Sequence, residues 1–327
     1  MNRRKLIYLI FITIFIASCG FSLYFFIQSQ RMEDKIEKET SPEQSLPAYQ
    51  FALIGEELDH DYWRLVGQGA KDVEQNYDVS VAYEGPRRSN PDEQLKLLDI
   101  AIKSKVDGII VQALNEDFLP VINQAMENGI PVITIDTDAP NSDRLAYVGT
   151  DNYEAGKLAG ETLVKDLDSN ATVGIVTGSF DNAHHQLRVE GFKEAIAQAL
   201  GVKVVAIEES NITRVVAEEK AYNMLKEHPD IDALYGTSAL DGIGMVEAAT
   251  SLGVEESIYM LAFDTLPENI ELLKQGKIDV LIGQKPYEMG SRSVELMMKL
   301  MEGEAIDDVY HTDTSVVRPE DAGELDD

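Results

Sequence analysis

Two carboxylates in this sequence follow apolar, β-branched stretches at the points where strands would end. Asp136 follows residues 130–135, and Asp264 follows residues 259–263. Because ligands of open α/β sheets bind just beyond the carboxyl ends of the strands, both acids are candidate ligand contacts. Carboxylates there can accept hydrogen bonds from hydroxyl groups, or act as a paired acid and base in glycoside cleavage. The alternative for each acid is that it caps the following turn or helix.

Further side chains suit a polyhydroxy ligand. Tyr62 and Trp63 follow the first strand, where an aromatic ring can stack on the C–H face of a sugar or instead pack the next helix onto the core. Arg188 can donate to hydroxyl or carboxylate oxygens, or pair with a surface acid. Gln284 follows a strand and precedes Pro286, where the chain could cross between lobes; otherwise it is an ordinary loop residue.

The sequence offers little for metal, nucleophilic or nucleotide chemistry. His184 and His185 resemble a metal pair, but adjacent residues on a helix point apart, so we predict no metal site and no cofactor. No serine lies in a Gly-x-Ser-x-Gly motif, and the only cysteine, Cys19, lies in an N-terminal apolar segment. No Gly-x-Gly-x-x-Gly follows a strand, and the P-loop motif is absent. We predict no catalytic residues; a glycosidase using Asp136 and Asp264 is the enzyme alternative.

The elements that must position these residues alternate between strand and helix. Short apolar strands and amphipathic helices follow one another from residue 49, which predicts parallel sheets with helices on both faces. The pattern restarts near residue 172 and indicates two similar α/β lobes. The predicted strands are residues 50–55, 80–83, 108–112, 132–136 and 146–148, then 172–177, 203–207, 233–235, 257–262 and 280–282.

The N-terminal segment differs from the rest of the chain. Three basic residues precede an apolar run over 6–27, which predicts a signal anchor whose N-terminus is cytoplasmic. The sequence before Cys19 also resembles a lipoprotein cleavage site, so residues 1–27 are a transmembrane helix or a lipoprotein signal. Residues 28–48 are polar and predict a linker, and residues 321–327 an acidic tail. The formal net charge of -30 disfavours binding to nucleic acid.

From residue 49 to about residue 318 the chain resembles the ribose-type periplasmic sugar-binding proteins, also called type I solute-binding proteins. The resemblance implies two Rossmann-like lobes joined by a three-crossing hinge. The N-terminal lobe would comprise residues 49–150 and 285–310, and the C-terminal lobe residues 151–284 and 311–320. The motifs that carry it are residues 130–136, 148–152, Gly156, 159–160, Arg188-x-x-Gly191-Phe192, His228-Pro229-Asp230, Phe263-Asp264 and Ile282-Gly283-Gln284.

The resemblance also assigns a polar cage around a sugar. Asp136 would accept hydrogen bonds from hydroxyls, and Arg188 would donate to a hydroxyl or the ring oxygen. Asp264, together with Gln284 near a hinge crossing, would complete the cage. The remaining positions that match or depart from the family pattern are His60, Tyr62, Trp63, Gln112, Thr137, Asp138 and Ser238. Thr137 and Asp138 replace an arginine of the ribose binders, and Ile212 stands where an aromatic residue is expected. We therefore expect a sugar preference that differs from theirs.

The function that the resemblance implies is binding of a monosaccharide or related polyol outside the cytoplasm, on a membrane-tethered protein that presents it to an ABC permease. The alternative is a sensor subunit that signals to a histidine kinase, which an uncleaved anchor and a short stalk would suit. A repressor of the lactose-repressor type would need a helix-turn-helix where the apolar segment stands. In either binding role, replacing Asp264 or Arg188 by alanine is expected to abolish binding and leave the fold intact.

Overall fold

The computed structural model describes residue 18 and residues 20–30 and 47–323, and the chain divides into two units, Met1–Pro47 and Ala48–Asp327. In the first unit, residue 18 and residues 20–30 are helical and exposed. Among the described residues, no helix is long and apolar enough to cross a membrane. The predicted anchor over residues 1–17, Cys19, most of the linker (31–46) and the end of the acidic tail (324–327) lie outside the described residues.

The second unit contains two six-stranded sheets. The first has the order β2-β1-β3-β4-β5-β11, with every neighbouring pair parallel. The second has the order β7-β6-β8-β9-β10-β12 and is parallel except between β10 and β12. The strands are β1 Tyr49–Ile54, β2 Val79–Glu84, β3 Gly108–Val111, β4 Val132–Ile135, β5 Ala146–Gly149, β6 Asn170–Thr177, β7 Gly201–Glu209, β8 Ala233–Gly236, β9 Tyr259–Phe263, β10 Val280–Gly283, β11 Val309–His311 and β12 Ser315–Val317.

Helices cover both faces of each sheet and bury its central strands. They are α1 Asp61–Glu74, α2 Pro91–Ser104, α3 Leu119–Glu127, α4 Asn152–Asp166, α5 Ala183–Ile196, α6 Arg214–Glu227, α7 Ala239–Leu252, α8 Pro267–Lys274 and α9 Pro286–Met301. Strands β3, β4, β5, β8 and β10 are buried throughout, as expected for parallel strands covered on both sides. Two apolar clusters, one on each face, form the core of each sheet.

The chain passes between the sheets three times. It crosses after β5, after β10 and between β11 and β12, because α4 packs on the second sheet and α9 on the first. The prediction of two α/β lobes joined by three crossings is confirmed. The short edge strands β11 and β12 were not predicted, since each has three residues and a mostly exposed or half-buried pattern that carries no apolar run.

Candidate functional site

The two acids predicted from strand ends occupy matching turns in the two lobes. Asp136 follows β4 with φ 63°, and Asp264 follows β9 with φ 73°. Aspartate is among the few residues that tolerate this left-handed region. An asparagine donates to the carbonyl of each acid, Asn152 to Asp136 and Asn269 to Asp264, both at 3.2 Å. Strained backbone at two equivalent strand ends favours a role in the site over simple capping.

Three side chains of the first lobe surround the carboxylate of Asp136. The Tyr62 hydroxyl donates to Oδ1 at 2.5 Å, and the Gln112 amide donates to Oδ2 at 2.8 Å. The Thr137 hydroxyl donates to the same Oδ2 at 3.1 Å. Burial raises the pKa of Asp136, although the positive charge of Arg188 and the bond from Tyr62 oppose that rise. The hydrogen bonds from Gln112 and Thr137 hold the Asp136 carboxylate in place.

Asp264 is connected to the crossings between the lobes. The Gln284 amide donates to its Oδ1 at 2.6 Å, and Gln284 Oε1 accepts from Thr150 at 2.7 Å and from Arg188 Nη2 at 2.9 Å. Thr150 follows β5 and Gln284 follows β10, so both lie where the chain leaves a sheet. Burial raises the pKa of Asp264 to about 6, against the opposing charge of Arg188.

Arg188 is buried and held on three sides. Its Nε donates to Asn152 Oδ1 at 2.9 Å, its Nη1 to the Thr237 carbonyl at 2.8 Å, and its Nη2 to Gln284. The guanidinium also lies 4.1 Å from the centre of the Phe263 ring. A cation fixed in this way between two acids is suited to donate to a ligand oxygen with little reorganisation.

Helix α5 can present Arg188 because it lies very close to α4. A Cβ atom at Gly191 would overlap with the Tyr153 carbonyl, and one at Gly156 with the Arg188 backbone. The glycines of the two sequence motifs therefore have a packing reason in this structure: they set the distance between α4 and α5.

These groups enclose a cavity of about 460 Å³, which includes space open to solvent. Eight of the predicted residues line it: His60, Tyr62, Trp63, Asp136, Arg188, Ser238, Asp264 and Gln284. Tyr62 and Trp63 also belong to the core of the first lobe, as the packing alternative expects, and their stacking on a sugar stays a prediction.

The structure does not bring Asp138 to the cavity. Arg144 donates to both of its oxygens, from Nε at 2.5 Å and from Nη2 at 2.7 Å, and the Thr134 hydroxyl donates to Oδ1 at 2.6 Å. Gln112 and Thr137 also lie outside the lining of the cavity, behind Asp136, in the part of the chain that is described. Thr137 and Asp138, the two residues that follow Asp136, therefore do not line the cavity: Thr137 supports Asp136, and Asp138 binds Arg144.

Six lining residues were not among the predicted contacts: Glu56, Glu57, His184, His185, Ile212 and Ala239. Glu56 follows β1, so the rule that selected Asp136 could have found it. Burial raises the pKa of Glu56 to about 7, although hydrogen bonds from Ser89 and Asn182 oppose the rise. Ile212, which the departure from the family pattern had singled out, has φ 51°, an unusual value for a β-branched residue.

The two histidines lie side by side rather than pointing apart. Their ring centres are 4.0 Å apart, and each Nδ1 shares a hydrogen bond with a threonine, His184 with Thr137 at 2.8 Å and His185 with Thr237 at 2.9 Å. Burial lowers the pKa of both rings well below the ordinary value, so they are neutral. Within the described residues, no group of three or more His, Cys, Asp or Glu is placed to hold a metal ion.

The chain is similar to known binding proteins over most of its length. A family model described as a periplasmic binding protein domain matches residues 51–305. Ribose import binding protein RbsB of Salmonella typhimurium is 26% identical over 231 residues, which are 70% of this chain and 77% of that protein.

Two solved structures are similar in both sequence and fold. GanP, a glucose-galactose binding protein from Geobacillus stearothermophilus, is 52% identical with a TM-score of 0.82, over 84% of this chain and 98% of that one. XylFII in the XylFII-LytSN complex is 34% identical with a TM-score of 0.80, over 84% and 98% of the two chains. The family model covers more than half of the chain, and this chain belongs to the periplasmic binding protein domain family.

Proposed function

We propose that this protein binds a neutral aldohexose in the cavity between its lobes and presents it to an ABC importer. The observation that carries the proposal is the buried Arg188 placed with Asp136 and Asp264 around one cavity. Carboxylates and a guanidinium bind neutral hydroxyls through charge-assisted hydrogen bonds. The aromatic pair at the wall of the cavity would exclude water from these bonds. The 52% identity to a glucose-galactose binding protein supports an aldohexose.

Binding would be coupled to closure of the lobes. A ligand that contacts both lobes favours the conformation in which they meet, by as much as its affinity differs between the open and closed forms. The family consists of solute-binding proteins rather than enzymes, and its members act outside the cytoplasm. We infer that the sugar is released unchanged, and that Asp136 and Asp264 do not act as an acid and base.

A thermal-shift screen of the unit Ala48–Asp327 tests the proposal. The similarity to GanP covers 84% of this chain and 98% of that solved chain, a length close to that of this unit, which supports the use of the unit in isolation. A ligand that binds only the folded state raises Tm by mass action. We expect D-glucose or D-galactose to raise Tm, and glucose 6-phosphate to have no effect because of the buried acids. If no aldohexose raises Tm, the proposed ligand is wrong, and a shift with a pentose or polyol alone would place the ligand in that class instead.

A second role has a specific observation in its favour. XylFII, 34% identical to this chain, is solved as a complex with a second protein, LytSN. We propose as the alternative that the sugar-bound protein signals to a membrane sensor histidine kinase. Neighbouring genes separate the two roles: permease and ATPase genes would support import, and histidine kinase and response regulator genes would support sensing.

We also propose that the N-terminal segment tethers the protein to the outer face of the cell membrane. Intact-mass measurement of the membrane-extracted protein tests this. A full-length mass supports an uncleaved anchor, and a chain that begins at a lipid-modified Cys19 supports a lipoprotein. A chain recovered without either feature from the culture medium would contradict the tether.

A further inference from the structure

Three consecutive residues at the start of α5 bind three loops of the opposite lobe. The loops follow β1, β3 and β4 and therefore lie at the carboxyl ends of those strands. The side chains that take part in the bonds are buried. The bonds are Asn182 Nδ2 to Glu56 Oε1 at 2.9 Å, Ala183 N–H to the Leu114 carbonyl at 2.9 Å, and His184 Nδ1 with Thr137 Oγ1 at 2.8 Å. We call these three bonds the interlobe contact.

Asn182 has an unusual role for its position. It precedes α5 as the N-cap with φ −85° and ψ 123°, a position where asparagine normally accepts a hydrogen bond from the first turn. Within the described chain, its side chain makes no such bond and is buried, with 3% of its surface exposed. The N-cap residues of α1, α2, α4 and α7 do accept one. Asn182 instead directs its amide to the other lobe.

The partner of Asn182 reaches the cavity, whereas Asn182 does not. Among residues 47–323, the side chains that line the cavity include Glu56 and leave out Asn182. Glu56 Oε1 accepts a second bond at 2.7 Å from Ser89, which belongs to the same lobe as Glu56. One oxygen at the wall of the cavity is thus held by one donor from its own lobe and one from the opposite lobe.

We propose that Asn182 is a positioning residue that strengthens sugar binding without contacting the sugar, by holding Glu56 across the cleft only when the lobes are together. The inference rests on the function proposed above, in which the lobes close on a ligand. A bond that exists only in the closed form raises the closed fraction of the ligand-free protein, and the apparent affinity rises with that fraction. Its loss should chiefly speed dissociation, because in the sugar-bound protein the bond must break before the lobes can open and release the sugar.

The test compares Asn182→Ala with Ser89→Ala in the unit Ala48–Asp327. Both remove one donor to the same oxygen of Glu56, but only Asn182 belongs to the opposite lobe. Fluorescence energy transfer between dyes on the two lobes measures the closed fraction without sugar. Calorimetry and stopped-flow mixing with D-glucose and D-galactose measure Kd and the dissociation rate.

We expect Asn182→Ala to lower the ligand-free closed fraction and to raise Kd about tenfold, equivalent to about 1.4 kcal/mol, through faster dissociation. Ser89→Ala should leave the closed fraction unchanged. The pair Asn182→Asp with Glu56→Gln exchanges amide and carboxylate and should restore the closed fraction. If Asn182→Ala does not fold, Asn182→Ser replaces it, since serine caps a helix but is too short to reach Glu56.

An Asn182 variant with the wild-type closed fraction and dissociation rate would overturn the inference. So would an equal effect of Ser89→Ala on closure, because the effect would then come from Glu56 alone. The closed fraction is measured without ligand, so it still tests the interlobe contact if neither sugar binds the wild type. Failure of both sugars to bind the wild type would instead contradict the proposed function.

Discussion

Asp264→Asn should separate ligand binding from stability. Asparagine is nearly isosteric with aspartate and also tolerates the left-handed φ of 73° at this position. Its Oδ1 can still accept the 2.6 Å bond from the Gln284 amide. The change therefore keeps the turn and its main contact, and replaces only the second carboxylate oxygen and the charge.

The variant should be more stable than the wild type at alkaline pH. Burial raises the pKa of Asp264 from 3.8 to about 6, so the ionised form is disfavoured in the folded protein by about 3 kcal/mol. Because the folded pKa lies above the unfolded one, the wild type loses this stability as pH rises from about 4 through about 6. Asparagine has no such loss. We expect a gain of up to about 3 kcal/mol in unfolding free energy at pH 8 and none at pH 4.

The same variant should bind sugar poorly. A charge-assisted hydrogen bond to a carboxylate is about twice as strong as a neutral one, and the new amide offers a donor where the ligand met an acceptor. We expect a loss of about 2 kcal/mol, or roughly 30-fold in Kd, at pH 8. Calorimetry with D-glucose and D-galactose and urea denaturation measure the two quantities.

Asp264→Ala is the matched control. It leaves the Gln284 amide without its acceptor in a buried site and places alanine in the left-handed region, so it should be less stable than Asp264→Asn by about 2–3 kcal/mol. If Asp264→Asn binds as tightly as the wild type, the carboxylate does not contact the sugar. If it is less stable than the wild type at pH 8, the reasoning from burial is refuted.

Three further predictions concern other buried positions. Burial raises the pKa of Glu56 from 4.5 to about 7, so stability is lost as pH rises through that window; Glu56→Gln should gain about 3 kcal/mol at pH 9 and nothing at pH 4 by urea denaturation. Gly191→Ala should lower the free energy of thermal unfolding by about 1–3 kcal/mol, because its Cβ would overlap with the neighbouring helix. The control Lys193→Ala, at an exposed position of the same helix, should change it little. Arg188→Ala should abolish sugar binding measured by calorimetry. It should also lose about 3–5 kcal/mol of unfolding free energy, because it leaves buried acids and acceptors unpaired. The control Arg292→Ala, at a part-exposed position, should lose less than about 1 kcal/mol.

The Arg188 prediction revises the expectation drawn from the sequence. The sequence predicted that Arg188 contacts only the ligand from a helix surface, so that its replacement by alanine would leave the fold intact. In the structure the same guanidinium bonds Asn152, Thr237 and Gln284 and lies against Phe263. Loss of binding after this substitution would therefore carry a contribution from stability, and Asp264→Asn is the cleaner test of the site.

Local patterns in the sequence determined the architecture and the end of each sheet where the site lies. Apolar runs that stop at Asp136 and Asp264 predict buried parallel strands and place both acids at carboxyl ends, because that rule depends only on residues close in the chain. The same rule applied to β1 would have selected Glu56. Periodicity likewise predicted the long helices, but it missed β11 and β12, which depend on pairing with distant strands.

Only the tertiary structure decided which polar residues face the cavity. Asp136, Thr137 and Asp138 are adjacent in sequence, yet the first lines the cavity, the second supports it, and the third forms an ion pair with Arg144. Asn182 and Glu56 are 126 residues apart and meet because two lobes come together. Side-chain direction at such positions is set by the packing of whole helices and lobes, which no local pattern contains.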